Sequence, residues 1–171
     1  MDPSSISIYE RLQPPGNVGR IERGEARRVE EWIGEAVDAG AEILCGGERD
    51  GNRINPAVLV NVPWDSRICV EEAFAPVTVV SSYDSFEAAL ERVNSWKYGL
   101  QTGVFTRDIG KAMTAYNRLD VGGVVIDDIP TLRVDNYPYG GVKNSGFGRE
   151  GVKYAMEELS ELKTLVVPAP R

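Results

Sequence analysis

Across "RGEARRVEEWIGEAVDAG", apolar residues recur at helical spacing. Ala26, Val29, Ile33 and Val37 fall on one face and charges on the other, which predicts an amphipathic helix closed by Gly40. The pattern then shortens. "EILC" (42–45), "AVLVNV" (57–62), "PVTVVSSY" (76–83), "QTGVFT" (101–106) and "GGVVI" (122–126) are short apolar or β-branched runs and predict strands. "GGERDGN" reads as a turn and residues 63–75 as irregular. Asp84 with Glu87 three residues on predicts the start of a second helix, striped by Phe86, Leu90 and Val93. Asp108 predicts the cap of a third, carrying Ile109, Met113 and Tyr116. A long loop over 127–150, a short helix "VKYAMEEL" and a last strand "LKTLVV" (162–167) complete the pattern.

Strands alternate with helices over residues 76–126, which favours an α/β fold with a largely parallel sheet and flanking helices. Ligands in such folds sit beyond the carboxyl ends of strands, so the segments after strands, 127–150 above all, are where function is expected. Residues 1–20 are rich in Pro, Ser and Gly and read as a poorly ordered lead-in.

The chain has 171 residues, enough for one domain with a core, and a net charge of −7. That balance gives a nucleic-acid partner no basic footprint. No apolar run approaches the ~20 residues of a membrane span, and the amino terminus has no signal-peptide pattern, so no membrane partner and a cytoplasmic location are expected. Two cysteines and no histidine exclude a disulfide framework and point to no metal site. They also remove Ser-His and Cys-His nucleophile pairs, leaving carboxylates, Lys or Tyr for acid–base work.

In "YGGVKNSGFGREG", Gly146, Gly148 and Gly151 spell the dinucleotide fingerprint G-x-G-x-x-G. Its context is wrong. A loop precedes it rather than a strand, and no acidic residue lies about 20 positions on, because Arg171 ends the chain there. Gly141 and Gly146 have phosphate-loop spacing, but Phe147 stands where that motif needs Lys. A tight loop using glycine for positive φ and close backbone approach accounts for the pattern better.

Four stretches, "VEEAFAPV" (70–77), "YGLQTGVFTRD" (98–108), "GGVVIDDIPTLRVDNYPYGGVKNSGFGRE" (122–150) and "ELKTLVV" (161–167), in this order and spacing resemble the C-terminal part of the aldehyde dehydrogenase superfamily. The resemblance runs from about Val18 to Val167. It implies an enzyme that oxidises an aldehyde with NAD or NADP through a cysteine thiohemiacetal and thioester.

By the same resemblance, Glu72 holds the hydroxyls of the ribose beside the nicotinamide, and Phe74 packs near that ribose and ring. A carboxylate can accept both hydroxyl protons. Tyr139 matches an aromatic of the substrate pocket, and Glu150 a carboxylate that relays protons from the general base toward solvent. Each has a plainer reading: Glu72 as a solvated loop acid, Phe74 as core, Tyr139 as a surface aromatic over the glycines, and Glu150 as an acid favoured at a helix start. The resemblance also makes "LKTLVV" a strand that pairs across a subunit interface, so a homo-oligomer through 162–167 is expected. The implied organisation is a lead-in (1–20), a partial catalytic domain (21–160) and an oligomerisation strand and tail (161–171).

The family's nucleophilic cysteine, general-base glutamate and Rossmann-like domain match nothing in these residues. Cys45 and Cys69 lack the nucleophile's flanking sequence and read as small packing residues. The chain alone is therefore expected to be inactive and not to bind NAD or NADP tightly, an amino-terminal half being a candidate separate partner. A non-catalytic interaction module that keeps the fold is the alternative. Two positions depart from the family pattern. Ala75 replaces a Gly, which would be strained if that Gly needs positive φ, and Asp127 replaces an Asn whose amide could donate hydrogen bonds.

Overall fold

The computed structural model describes residues 23–168. The lead-in expected over 1–20 lies outside them, as do the last three residues. The chain divides into two compact units, meeting in sequence between Ser82 and Tyr83.

The first unit opens with α1 (Arg23–Asp38), followed by β1 (Glu42–Cys45), β2 (Arg49–Asp50), β3 (Arg53–Ile54), β4 (Ala57–Val60), α2 (Arg67–Val70) and β5 (Val77–Val80). Strands β1, β4 and β5 form one sheet in that order, β1–β4 antiparallel and β4–β5 parallel; β2 and β3 make a small hairpin. Ala26, Val29 and Ile33 are buried as the periodicity predicts, together with Trp32 and Ala36, and Gly40 follows the helix at φ +106°. Leu59 and Ile54, both fully buried, centre the core beneath α1. Trp32 lies under two guanidinium groups, Arg28 at 4.2 Å and Arg67 at 5.5 Å from its ring centroid, which ties α1 to α2.

The second unit contains α3 (Phe86–Ser95), β6 (Tyr98–Gly99), β7 (Gln101–Val104), α4 (Ile109–Arg118), β8 (Gly123–Ile126), β9 (Val142–Lys143) and α5 (Val152–Glu158). β7 and β8 are parallel, joined through α4, whereas β6 and β9 are antiparallel. The fold is thus mixed α/β, with parallel pairing at β4–β5 and β7–β8 and antiparallel pairing elsewhere.

Several local expectations are corrected. The cap of α3 is Ser85 rather than Asp84, its hydroxyl accepting from the Ala88 N–H at 3.1 Å. Asp108 does cap α4, accepting from Gly110 and Lys111. Yet Ile109, Met113 and Tyr116 are exposed, and α4 buries Ala112 and Ala115 instead. Small side chains let that helix lie close to Leu90, Val104 and Val124, and the bulky stripe faces out. The irregular stretch 63–75 holds α2, and the long loop holds β9. Residues 162–167 form no strand, Leu162, Leu165, Val166 and Val167 are all exposed, and no strand among the described residues pairs with them.

Candidate functional site

In the first unit, α2 buries Ile68 and Cys69 and ends at Glu71, whose N–H returns to the Arg67 carbonyl. The chain beyond alternates. Ala73 and Ala75 pack on the core, while Glu72 and Phe74 are exposed. Arg28 pins the turn by donating to the Ala73 carbonyl at 3.0 Å. Phe74 has φ +47°, a conformation rarely adopted by a bulky L-residue, and its side chain is 80% exposed. The positive φ therefore falls on Phe74, not on Ala75, and the strain expected at Ala75 does not arise. Glu72 and Phe74 thus stand two residues apart on one turn, an exposed carboxylate and an exposed aromatic.

In the second unit, the segment after β8 is fastened in stages. Asp127 leaves the strand at φ +60°, a left-handed position that Asp and Asn both tolerate, and its N–H reaches the Val104 carbonyl at 2.9 Å. Gln101 donates to the Leu132 carbonyl at 3.0 Å. β9 then pairs with β6, and the Gly99 N–H donates to the Ser145 hydroxyl at 2.9 Å. Gly146, Gly148 and Gly151 all have positive φ, at +120°, +74° and +119°. They reverse the chain so that Tyr139 and Glu150 pair as an antiparallel bridge, N–H to carbonyl in both directions at 3.1 and 2.6 Å. Arg149 braces the loop, donating to the carbonyls of Gly141 and Gly148, and its own N–H reaches Glu158. The glycine motif is thus a loop-folding device.

The bridge brings Tyr139 and Glu150 together and adds a residue that sequence reasoning missed. Arg133 lies 5.1 Å from the Tyr139 ring centroid and donates through Nη2 to Glu150 Oε2 at 2.7 Å. Nothing in the sequence separation of 17 announces that pair. Glu150 lies before α5, whose first turn carries no acid, and its carboxylate is engaged by Arg133. A cavity of about 640 Å³ lies on the α5 side, lined by Asp135, Asn136 and residues of the helix. Gly151, next to Glu150, also lines it, whereas Tyr139 and Glu150 do not.

The cysteines behave differently from each other. Cys69 is buried, and that burial pushes its thiol pKa up, the opposite of an activated nucleophile. Cys45 is exposed, which corrects the expectation that it packs inside: β1 is the edge of its sheet, and all four of its residues are exposed. Among the described residues no cluster of acidic and thiol groups could hold a metal ion, and no helix is long and apolar enough to cross a membrane.

A sequence profile described as the aldehyde dehydrogenase family matches residues 12–165. The chain is 47% identical over 143 residues to a 3-sulfolactaldehyde dehydrogenase of Priestia megaterium, a match covering 84% of this chain and 30% of the relative. It is similar in structure to aldehyde dehydrogenase 21 from Physcomitrella patens in complex with the reaction product succinate, with TM-score 0.82 and 46% identity over 85% of this chain and 30% of that one. It is also similar to a glyceraldehyde-3-phosphate dehydrogenase from Methanocaldococcus jannaschii complexed with NADP, with TM-score 0.80 and 44% identity over 84% and 31% of the two chains. The chain spans about 30% of the length of the curated relatives it matches.

Proposed function

Since the chain belongs to the aldehyde dehydrogenase family, we propose that it is the carboxyl-terminal portion of an NAD- or NADP-dependent enzyme that oxidises an aldehyde. The observation that carries this is the Tyr139–Glu150 bridge, which sets an aromatic wall and a carboxylate side by side on a loop folded by the fingerprint-like glycines. Tyr139 screens the aldehyde's body from water. Glu150 takes a proton on its carboxylate and passes it toward solvent, to which it is open. Glu72 accepts from the ribose hydroxyls, and Phe74 packs against the sugar and ring. When bound, the cofactor supplies the hydride acceptor.

The relatives' names point to the substrate class. 3-Sulfolactaldehyde, glyceraldehyde 3-phosphate and the product succinate each carry an acidic group besides the reacting carbon. Lactaldehyde, which other relatives' names carry, has no such group, so the substrate we assign to the complete enzyme is a small aldehyde, with or without an acidic group.

The nucleophile has to come from residues outside this chain. The purified 171-residue chain should yield no NADH or NADPH from any aldehyde. Mixing it with the segment of the Priestia relative that precedes the matched region should restore turnover. Steady reduction by the chain alone would defeat the reading.

A second reading has its own observation. The exposed apolar side chains of Leu162, Leu165, Val166 and Val167 support self-association through 162–167, whether in an enzyme or in a module that has kept the fold without the chemistry. A sedimenting monomer at high concentration counts against it. An upstream reading frame without the nucleophile segment would favour the module.

A further inference from the structure

On α1, Glu25, Arg28, Trp32 and Glu35 follow one another at spacings of three, four and three, which stacks them along one face of the helix. Arg28 is held from three sides. Its guanidinium lies over the Trp32 ring, its Nε donates to Glu25 Oε2 at 2.8 Å, and its Nη2 donates to Glu25 and, at 3.0 Å, to the Ala73 carbonyl. Arg67 lies over the same ring, but its donors go to Glu35. Among the described residues, Arg28 alone hydrogen-bonds to residues 72–74.

We propose that Arg28, braced on Trp32, is a positioning residue that sets the shape of the Glu72–Phe74 turn and through it the fit of the cofactor. The cofactor half of this rests on the functional reading above, in which Glu72 and Phe74 meet the ribose and the ring. The planar peptide between Ala73 and Phe74 turns as one body, so the direction of the Ala73 carbonyl and the φ of Phe74 change together. The residues on either side are fixed. Ala73 and Ala75 pack on the core, and the Ala57 N–H donates to the Pro76 carbonyl at 2.9 Å. With those positions held, Phe74 leaves φ +47° only by a rotation that swings the Ala73 carbonyl away from Arg28. A hydrogen bond from a charged donor outweighs the cost of one left-handed residue, so the bond keeps the strained form. The donor is itself preorganised, because the guanidinium rests on the buried Trp32 and Glu25 orients it. Strained backbone persists where the surroundings over-determine it, and it clusters at ligand clamps. Arg28 is the group that supplies that constraint here.

The test compares two variants of the full chain. Arg28→Met keeps an apolar stem over Trp32 and removes the donors. Arg67→Met strips the second guanidinium from the same ring without touching the turn. In NMR, the Cα and Cβ shifts of Phe74 report its φ, and the carbonyl-carbon shift of Ala73 reports its hydrogen bond. Both should move in Arg28→Met, toward extended backbone and a released carbonyl. Both should stay in place in Arg67→Met and move less in Arg28→Lys, which keeps a charged donor. An arginine that only supports packing would give the same result at 28 and at 67. In the enzyme reconstituted with the amino-terminal segment of the Priestia relative, apparent affinity falls with the fraction of molecules in the binding conformation. With about one molecule in ten still left-handed, Arg28→Met should raise KM for NAD or NADP about tenfold and leave kcat and the KM for the aldehyde unchanged. Unmoved Phe74 shifts in a folded Arg28→Met overturn the proposal, as does a turn that moves equally in Arg67→Met. So does a cofactor KM that Arg28→Met leaves alone in an enzyme where Glu72→Gln raises it. An enzyme indifferent to Glu72→Gln sinks the reading of the turn as a cofactor site and leaves the shifts to decide the role of Arg28. Should Arg28→Met fail to fold, Arg28→Lys must show the smaller shifts, and their absence refutes the proposal.

Discussion

The turn at Phe74 and Ala75 allows a test in which the sign of the effect decides. If the backbone needed glycine at 75, Ala75→Gly would relieve strain and stabilise the chain. In the structure the left-handed residue is Phe74, at φ +47°, and the Ala75 methyl packs against the first unit's core. Removing that methyl forfeits part of the ~0.8 kcal/mol of a buried carbon. Glycine's extra freedom in the unfolded chain adds roughly 0.5–1 kcal/mol. Ala75→Gly should therefore destabilise by about 1 kcal/mol, lowering a urea midpoint by about 0.5 M for a slope near 2 kcal/mol/M. At 74 the order reverses. A left-handed L-residue costs about 1–2 kcal/mol, so Phe74→Gly should exceed Phe74→Ala in stability by about 0.5–1 kcal/mol after the entropy of glycine is subtracted. Neither variant loses much packing, because Phe74 is mostly exposed. Fluorescence of Trp32, buried in the same core, follows the transition. A rise in midpoint for Ala75→Gly, or Phe74→Ala matching Phe74→Gly, would refute the placement of strain at 74.

Other outcomes follow from the same geometry. A thiol reagent should label Cys45 rapidly in the native chain and Cys69 only on unfolding, since Cys69 is buried and its thiol pKa raised by that burial; equal rates would contradict the core assignment. Arg67, through its hydrogen bond, holds Glu35 below the usual carboxylate range, so that contribution is present above the unfolded carboxylate pKa and fades as pH falls through the folded value. Glu35→Gln should accordingly flatten the loss of stability in acid, and an unchanged pH profile would remove the pair from the account. Leu165→Asp should abolish self-association while shifting monomer stability by less than about 0.5 kcal/mol, as that side chain is exposed; sedimentation velocity decides it.

What the sequence made legible was local. The apolar spacing of α1 and the Asp108 cap carry their own physical signals within a few residues; the cap stands as read, and the stripe stands at Ala26, Val29 and Ile33 but not at Val37, which is exposed. The α3 cap moved by one residue because Ser85 and Asp84 offer equivalent acceptors, and only backbone geometry chooses between them. The α4 stripe misled for a different reason. Hydrophobicity ranks Ile109, Met113 and Tyr116 above Ala112 and Ala115, but close approach to the sheet selects small side chains. Cys45 reads from sequence as a packing residue because it lacks the nucleophile's flanking sequence; it is exposed on β1, the edge strand of its sheet, a tertiary fact.

The candidate site divides in the same way. Glu72, Phe74, Tyr139 and Glu150 could be named from motifs. Phe74's strained backbone and the Tyr139–Glu150 bridge could not, since φ and strand pairing leave no trace in composition. Arg133 was invisible until the loop reversal laid it across that bridge. The glycine fingerprint pointed to a dinucleotide, yet its three positive-φ residues build the loop that pairs Tyr139 with Glu150 instead.

The central claim is that this chain supplies walls of an aldehyde dehydrogenase site and no nucleophile. Absorbance of reduced cofactor, measured with the pure chain, NAD or NADP and 3-sulfolactaldehyde, tests it most directly. The account predicts no turnover until the amino-terminal segment of the Priestia relative is added. Sustained turnover by the chain alone would contradict it.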